Sequence, residues 1–196
     1  MRTRLARKMR ALAGKSTQGA RIAVYSWLSD CHRVVGVPSL RQPCLLKGAG
    51  SITFEENVTI GYDPSPFFFN TYAYLEARNR SAQVIIGRGT HLNNNCVISA
   101  EHGCIRIGRH VLIGTGVVIL DSNFHSLDPG ERRLSPPGDA RDVTIGDNCF
   151  IGSDVHILKG VTIGENSVVG SASVVVSDLP KNVVAAGNPA TVIRPL

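Results

Sequence analysis

An aliphatic residue recurs every six positions through the C-terminal part of the chain, at Ile145, Ile151, Ile157, Ile163, Val169 and Val175. The same period runs through Ile107, Ile113 and Ile119 and through Ile86, Leu92 and Ile98, and Ile60 begins it. Two residues before each of these 13 positions stands a small or β-branched residue or a cysteine, from Val58 and Val84 to Ser167 and Ser173. Positions i−2 and i share one face of a strand, so both are predicted to point inward. Gly follows the aliphatic at eight of the 13 positions, which predicts a turn with φ > 0 there. Period two within the unit predicts strand, and punctuation every six residues predicts that each strand turns before it grows long. The arrangement that satisfies both is a mainly β coil of three short strands, about 18 residues per turn, whose turns stack as parallel sheets.

The N-terminal segment carries a different period. Ala20, Ala23, Val24, Trp27, Leu28, Cys31, Val34 and Val35 follow the i, i+3, i+4, i+7 spacing of a helix face. Ser16 or Thr17 is the expected start of this helix, and Gly36 with Pro38 its expected end. Ahead of it, Leu5, Met9 and Leu12 mark a shorter basic amphipathic stretch. The predicted organisation is a helical segment over 1–45 and a coil over 46–196, with a protruding loop.

Charge sharpens this division. Seven of the 21 basic residues precede the first acid, Asp30, and the remainder sets 14 basic against 15 acidic residues. A near-neutral body with 6% aromatics argues against nucleic-acid binding. The basic N-terminus predicts at most a weak peripheral contact with a membrane. The apolar run IAVYSWLS is shorter than a membrane span and lacks a cleavage site, so a secreted or integral membrane protein is not expected. Five cysteines, odd in number and without a CxxC pair, predict a reducing, cytoplasmic setting.

The stretch IGDNCFIGSDVHILKGVTIGENSVVGSASVVV and the tail LPKNVVAAGNPATVIR resemble the C-terminal half of the hexapeptide-repeat acyltransferases, the maltose, galactoside and polysaccharide O-acetyltransferases. The resemblance covers residues 46–196. It implies a left-handed parallel β-helix, against the usual crossover hand, a homotrimer, and acetyl-CoA as donor. The implied reaction is O-acetylation of a sugar or surface-polysaccharide precursor by direct transfer. N-acetylation of an amino sugar or an antibiotic is the alternative.

The period breaks between Ile60 and Ile86, Ile98 and Ile107, and Ile119 and Ile145. All three breaks are expected to follow the third strand of a turn and to stack on one corner, and long loops in a compact domain are usually functional. The last break carries His125, where the resemblance places a general base that takes the acceptor hydroxyl's proton. Asp121 and Asn123 are candidates to orient its ring, or simply to cap a local turn. Asn93 matches the family's acceptor-binding asparagine, with Asn95 as alternate; against this stands its place at a corner where Gly is usual. Tyr72, Tyr74 and Glu76 are weaker acceptor candidates. For the donor the matched positions are Ser153, Ser171 and Arg194, with Thr115 the equivalent one turn earlier. Ser153 and Ser171 lie 18 residues apart, which predicts a column along the coil axis. Val176-Ser177 replaces the family's frequent Thr-Lys, which makes Arg194 the expected phosphate contact. Phe150 stands where an aromatic wall is often Trp.

Two competing chemistries fare poorly. Zinc catalysis on such a helix needs a close imidazole pair, and His125 has no His five residues on, so no metal site is predicted. A cysteine acyl-enzyme is disfavoured because Cys96 and Cys149 occupy inward positions. A noncatalytic scaffold would not need the loop histidine or the hydroxyl column.

Overall fold

Three parallel sheets wrap the chain into a coil in this computed structural model, which describes the backbone of residues 2–196 and the side chains from Ala13 onward apart from Lys15. Sheet A gathers Val34–Val35, Ser51–Phe54, Gln83–Ile86, Cys104–Ile107, Val143–Ile145 and Thr162–Ile163. Sheet B gathers Ser39–Leu40, Thr59–Ile60, His91–Leu92, Leu112–Ile113, Phe150–Ile151 and Val168–Val169. It ends in Val183–Gly187 and, antiparallel to it, Ala190–Pro195. Sheet C gathers Cys44–Lys47, Ala73–Ala77, Val97–Ala100, Val118–Leu120, His156–Ile157 and Val174–Val175.

The inward ladders are those the period predicts. Ile86, Ile107, Ile145 and Ile163 stand in register down sheet A, Leu92, Ile113, Ile151 and Val169 down sheet B, and Ile98, Ile119, Ile157 and Val175 down sheet C. All 13 aliphatics and their i−2 partners are buried, none more than 3% exposed. At ~1.5–3 kcal/mol for each large aliphatic side chain, this stack stabilises the fold without an aromatic core.

The glycines after the aliphatics have a different cause from the one expected. The positive φ falls three residues after the aliphatic, at Gly89, Asn95, Gly116, Asn148, Asp154 and Asn166 among others, whereas of the eight expected glycines only Gly61 has one. The rest are glycine because the next coil leaves no room. A Cβ on Gly114 would lie 2.5 Å from the backbone N of Ser153, and one on Gly152 2.6 Å from that of Ser171.

The helix also departs from expectation. Helix α1 runs unbroken over Arg2–Leu28, so Ser16 and Thr17 lie inside it and Thr17 Oγ1 donates back to Ala13 O at 2.9 Å. The side chains of Leu5, Met9 and Leu12 lie outside the described residues. The helix ends well before Gly36, because the amides of Asp30 and Cys31 donate to Leu46 O and the Ser29 hydroxyl accepts from Leu46 N. Val34 and Val35 then pair with Ile52 and Thr53 as the first strand of sheet A. A full coil turn is thus complete by Lys47, and the coil begins before residue 46.

One period break is also re-placed. Ile60 aligns with Leu92 in sheet B, so segment 61–72 leaves the corner between sheets B and C, while segments 101–103 and 121–142 leave the corner between C and A.

Cys149 is 1% exposed and its Sγ donates to Gly164 O at 3.2 Å. Ser167 and Ser173, at equivalent inward positions, already satisfy their hydroxyls on the carbonyls of Pro180 and Gly170. Cys149→Ser is therefore expected to lower Tm by only ~2–6 °C and to leave intact the acetyl transfer that the resemblance implies. Calorimetry with a thiol-release assay checks both, and an acetylated Cys149 in the mass spectrum would contradict the second.

Candidate active site

The corner between sheets B and C carries the predicted hydroxyl column. Thr115 Oγ1 donates to Ser153 Oγ at 3.0 Å, and Ser153 N donates to Ser171 Oγ at 3.2 Å. Stacking of successive coils brings the three together although they span 57 residues of sequence numbering from Thr115 to Ser171 inclusive. Thr115 is buried, Ser153 half-buried and Ser171 exposed, so the serines are the hydroxyls a ligand can reach. Arg194 is exposed on the last strand, opposite Val184, and extends an outward row of sheet B through Leu112, Phe150 and Val168.

Asn93 lies on the same corner one coil earlier. The left-handed residue there is Asn95, at φ 62°, so the glycine-like corner explanation does not apply to Asn93. Its Oδ1 accepts from Asn94 N at 2.8 Å and its Nδ2 donates to Ser65 Oγ at 3.3 Å. Ser65 belongs to a strap, residues 62–72, that the periodicity did not place here. Fully buried Asn94 holds one end of it, donating to Tyr62 O at 2.9 Å and Pro66 O at 2.8 Å and accepting from Tyr62 N. Fully buried Gln42 holds the middle, donating to Phe67 O at 2.9 Å and Thr71 Oγ1 at 3.1 Å. Between strap and sheet lies a cleft of about 310 Å³ lined by Tyr62, His91, Asn93, Leu112 and Phe150. A larger cleft, about 570 Å³, opens beside Phe54 and Arg109, where Arg109 is already bonded to Asp147 and Glu55 accepts from Arg88 N.

His125 sits on the other corner, in the segment between sheets C and A, and is exposed. Its Nδ1 lies 3.0 Å from Arg132 O, so the proton belongs on Nδ1, which donates to the carbonyl and leaves the Nε2 lone pair free. Neither oriented-ring candidate touches it. Asp121 is fully buried and accepts from the amides of Glu101, His102 and Gly103, which makes it the cap of the shorter excursion. Asn123 is exposed.

What fastens the histidine segment is Glu101, a residue the periodicity passes over because it lies just past a strand. Its carboxylate, almost completely buried, accepts from Ser122 and from Ser135 Oγ at 2.5 Å, gripping the segment on both sides of His125. Arg78 reaches Glu101 at 3.4 Å and Glu76 at 3.0 Å, and its guanidinium stands 4.5 Å from the Phe124 ring centroid. Burial opposes the Glu101 charge, but hydrogen bonds from Ser122 and Ser135 and the charge of Arg78 outweigh it and hold its carboxyl below the usual range. A depressed folded pKa means the grip is fully present above the ordinary glutamate value of ~4.3 and is lost as pH falls through the lower folded value. Glu101→Gln is expected to speed tryptic cleavage after Arg132 and Arg133 severalfold with little change in coil melting. Cleavage at the wild-type rate would exclude the grip. Glu76 and Tyr74 are absorbed in sheet C, Glu76 by Arg78 and by Ser99, and Tyr72 packs on Tyr25 with ring centroids 4.7 Å apart.

The inward thiols are not nucleophiles. Burial pushes Cys96 up to about 12 and raises Cys149, so neither forms a thiolate near neutral pH.

A coil of six-residue units with hydroxyls ranked along an open corner defines a class, and the comparisons agree with it. The family model "Bacterial transferase hexapeptide (six repeats)" matches residues 142–177. The chain is 35% identical over 162 residues to "Putative lipopolysaccharide biosynthesis O-acetyl transferase WbbJ" of Escherichia coli, covering 79% of this chain and 77% of that one. It is 41% identical over 116 residues to the galactoside O-acetyltransferase of the same organism, covering 58% and 54%. Among solved structures, a hexapeptide-repeat containing acetyltransferase of Vibrio cholerae, complexed with acetyl coenzyme A, superposes with a TM-score of 0.56 at 27% identity, covering 94% of this chain and 87% of that one. The chain spans about half the length of several curated relatives it matches. The fold is a left-handed parallel β-helix. The chain belongs to the hexapeptide-repeat acetyltransferase family.

Proposed function

We propose that the protein transfers the acetyl group of acetyl-CoA to a hydroxyl of a saccharide acceptor, with His125 as general base. The observation that carries this reading is the His125 ring, exposed on a fastened segment with Nδ1 committed to Arg132 O and Nε2 left as an acceptor. As the hydroxyl oxygen attacks the thioester carbonyl, Nε2 takes its proton. As the carbon–sulfur bond breaks, the departing thiolate takes that proton back, and no acyl-enzyme is needed. Asn93 Nδ2, which bonds only weakly to Ser65, holds the acceptor in the cleft beside Tyr62 and Phe150. Ser153 and Ser171 line the pantetheine arm, Thr115 fixes their row, and Arg194 pairs with a coenzyme phosphate. The acetyltransferase relatives and the neighbour complexed with acetyl coenzyme A support the donor.

The two halves of this site stand on different corners of one chain. A coil edge of about six residues is on the order of 20 Å long, beyond the reach of a side chain. The reading therefore includes a homotrimer, in which the His125 segment of one subunit meets the Asn93 corner of its neighbour. Five free cysteines are consistent with a reducing, cytoplasmic setting.

The test is a screen of purified protein with acetyl-CoA against sugar, nucleotide-sugar and amino-sugar acceptors, following free thiol. Thiol release that requires a hydroxyl acceptor and yields an O-acetyl product supports the reading. Release only with amine acceptors would replace it by N-acetylation, and no acceptor-dependent release would remove it.

A further inference from the structure

Helix α1 packs on the rest of the protein through its polar side. Gln18, only 5% exposed, donates to Phe68 O at 2.8 Å and Arg41 O at 3.2 Å. Arg21 donates to Phe68 O at 3.2 Å and Thr71 O at 2.5 Å, and Tyr25 stacks on Tyr72. The side the sequence marks as apolar is turned outward. Val24 and Leu28 are about half exposed and Trp27 is 82% exposed, and Ala20 and Ala23 are exposed beside them. A satisfied polar face, held by backbone carbonyls of the strap, has displaced the apolar stripe from the interior.

The same helix holds seven Lys and Arg and no Asp or Glu, while the rest of the chain is near neutral. In the sequence, the spacing of the outward stripe continues through Leu5, Met9 and Leu12. An apolar stripe with a large aromatic, on a helix whose only charges are positive, is the composition that lies in the interface of an anionic bilayer. No helix among the described residues is long and apolar enough to cross one, so the contact is with the surface. A second copy of this chain would have to supply a concentrated acidic face to match seven cations. Among the described acids, Asp30, Glu76, Glu101, Asp147 and Glu165 are already paired with cations of the same chain.

We propose that the outward face of α1, centred on Trp27, docks on an anionic lipid surface. Docking and acetyl transfer are separable, but they are connected in the structure. The strap that Gln18 and Arg21 hold at Phe68 and Thr71 meets Asn93 at Ser65, so the docked helix is tied to the wall of the candidate acceptor cleft.

Trp27 is the sole tryptophan of the chain, so intrinsic fluorescence reads this face alone. Full-length protein without acetyl-CoA is titrated with vesicles of phosphatidylglycerol and phosphatidylcholine, or of phosphatidylcholine only. The expected result is long-wavelength emission in free protein that shifts to shorter wavelength with the anionic vesicles, much less with the neutral ones, and reverses as salt is raised. Val24→Glu or Leu28→Glu, at exposed positions, is expected to abolish most of the shift, and each Arg→Gln among Arg4, Arg7 and Arg10 to weaken binding roughly fivefold. Circular dichroism confirms that each variant keeps its fold. An unchanged emission with anionic vesicles, or an equal shift with neutral ones, would overturn the proposal. Short-wavelength emission before any vesicle is added would also overturn it and assign the face to a second copy. None of these outcomes depends on the transfer reaction, so failure here leaves the proposed activity standing, and the reverse holds too.

Discussion

Replacing His125 with alanine is expected to lower turnover by roughly 10² to 10⁴ while leaving the affinity for acetyl-CoA nearly unchanged. The reason is geometric. The ring projects from an exposed segment, bonds to Arg132 O through Nδ1 and touches none of the coil corner that carries Ser153 and Ser171. In the proposed reaction its loss removes a proton acceptor worth about 3 to 5 kcal/mol of barrier and no coenzyme contact. Binding measured by calorimetry separates the two effects. Near-wild-type turnover in His125→Ala would take the histidine out of the mechanism, and a large loss of acetyl-CoA affinity would assign it to donor binding instead. The effect should exceed that of Glu101→Gln, which loosens the segment but keeps the base.

Mixing inactive subunits is expected to restore activity. In a cyclic trimer whose sites combine the His125 segment of one chain with the Asn93 corner of the next, His125→Ala and Asn93→Ala fail for different halves of the site. Every mixed trimer then holds one interface with both native residues. After co-refolding at equal amounts, about a quarter of all sites are native, and turnover per subunit should recover to about 25% of wild type. Mass spectrometry of the intact assembly verifies that mixed trimers formed. If they form and stay as inactive as either parent, the shared site is wrong, and the segment must fold back over its own coil or Asn93 must serve only to hold Ser65.

Both expectations depend on which corner a residue occupies, and that was only partly legible in the residues themselves. Thr115, Ser153 and Ser171 were, because each stands two residues after the second aliphatic of its turn, Ile113, Ile151 or Val169, and the stacked coils convert that place in the unit into position. The excursion carrying His125 was too, since an interruption after a sheet C strand has only one corner to leave from. The 62–72 strap was not. Ile60 has the inward Val58 and the following Gly61 of the other units, but the 26 positions to Ile86 break the six-residue phase, and nothing between them said that Ile60 belongs to sheet B. The register of Ile60 with Leu92 decides it. Glu101, Gln42 and Asn94 were invisible for a related reason. Their partners lie 21 to 53 residues away, Ser122 and Ser135 at 21 and 34 from Glu101 and Asn95 at 53 from Gln42. Local spacing carries no record of such bonds. A buried polar residue beside a period break is the signal that could have found them.

The sequence by itself determined the coil. Each six-residue unit states locally which two side chains face inward, and burial of all 26 such side chains follows from that alternation alone. It also carried the division between a cationic helix and a neutral body. Tertiary structure decided what the outward residues meet. Cys31, Val34 and Val35 fit a helical stripe as well as a strand, and hydrogen bonds to Leu46 and pairing with Ile52 settled them as coil. Gly114 and Gly152 fit a left-handed turn as well as a crowded corner, and the backbone of the next coil settled them as crowding. The apolar stripe of α1 marks one face of the helix without saying what covers it, and carbonyls of the strap, which only the folded chain presents together, bound Gln18 and Arg21 and turned Trp27 outward. Periodicity records a side chain's neighbours along one strand or helix. Satisfaction of buried polar groups is settled between segments distant in sequence, and there the folded structure had the deciding part.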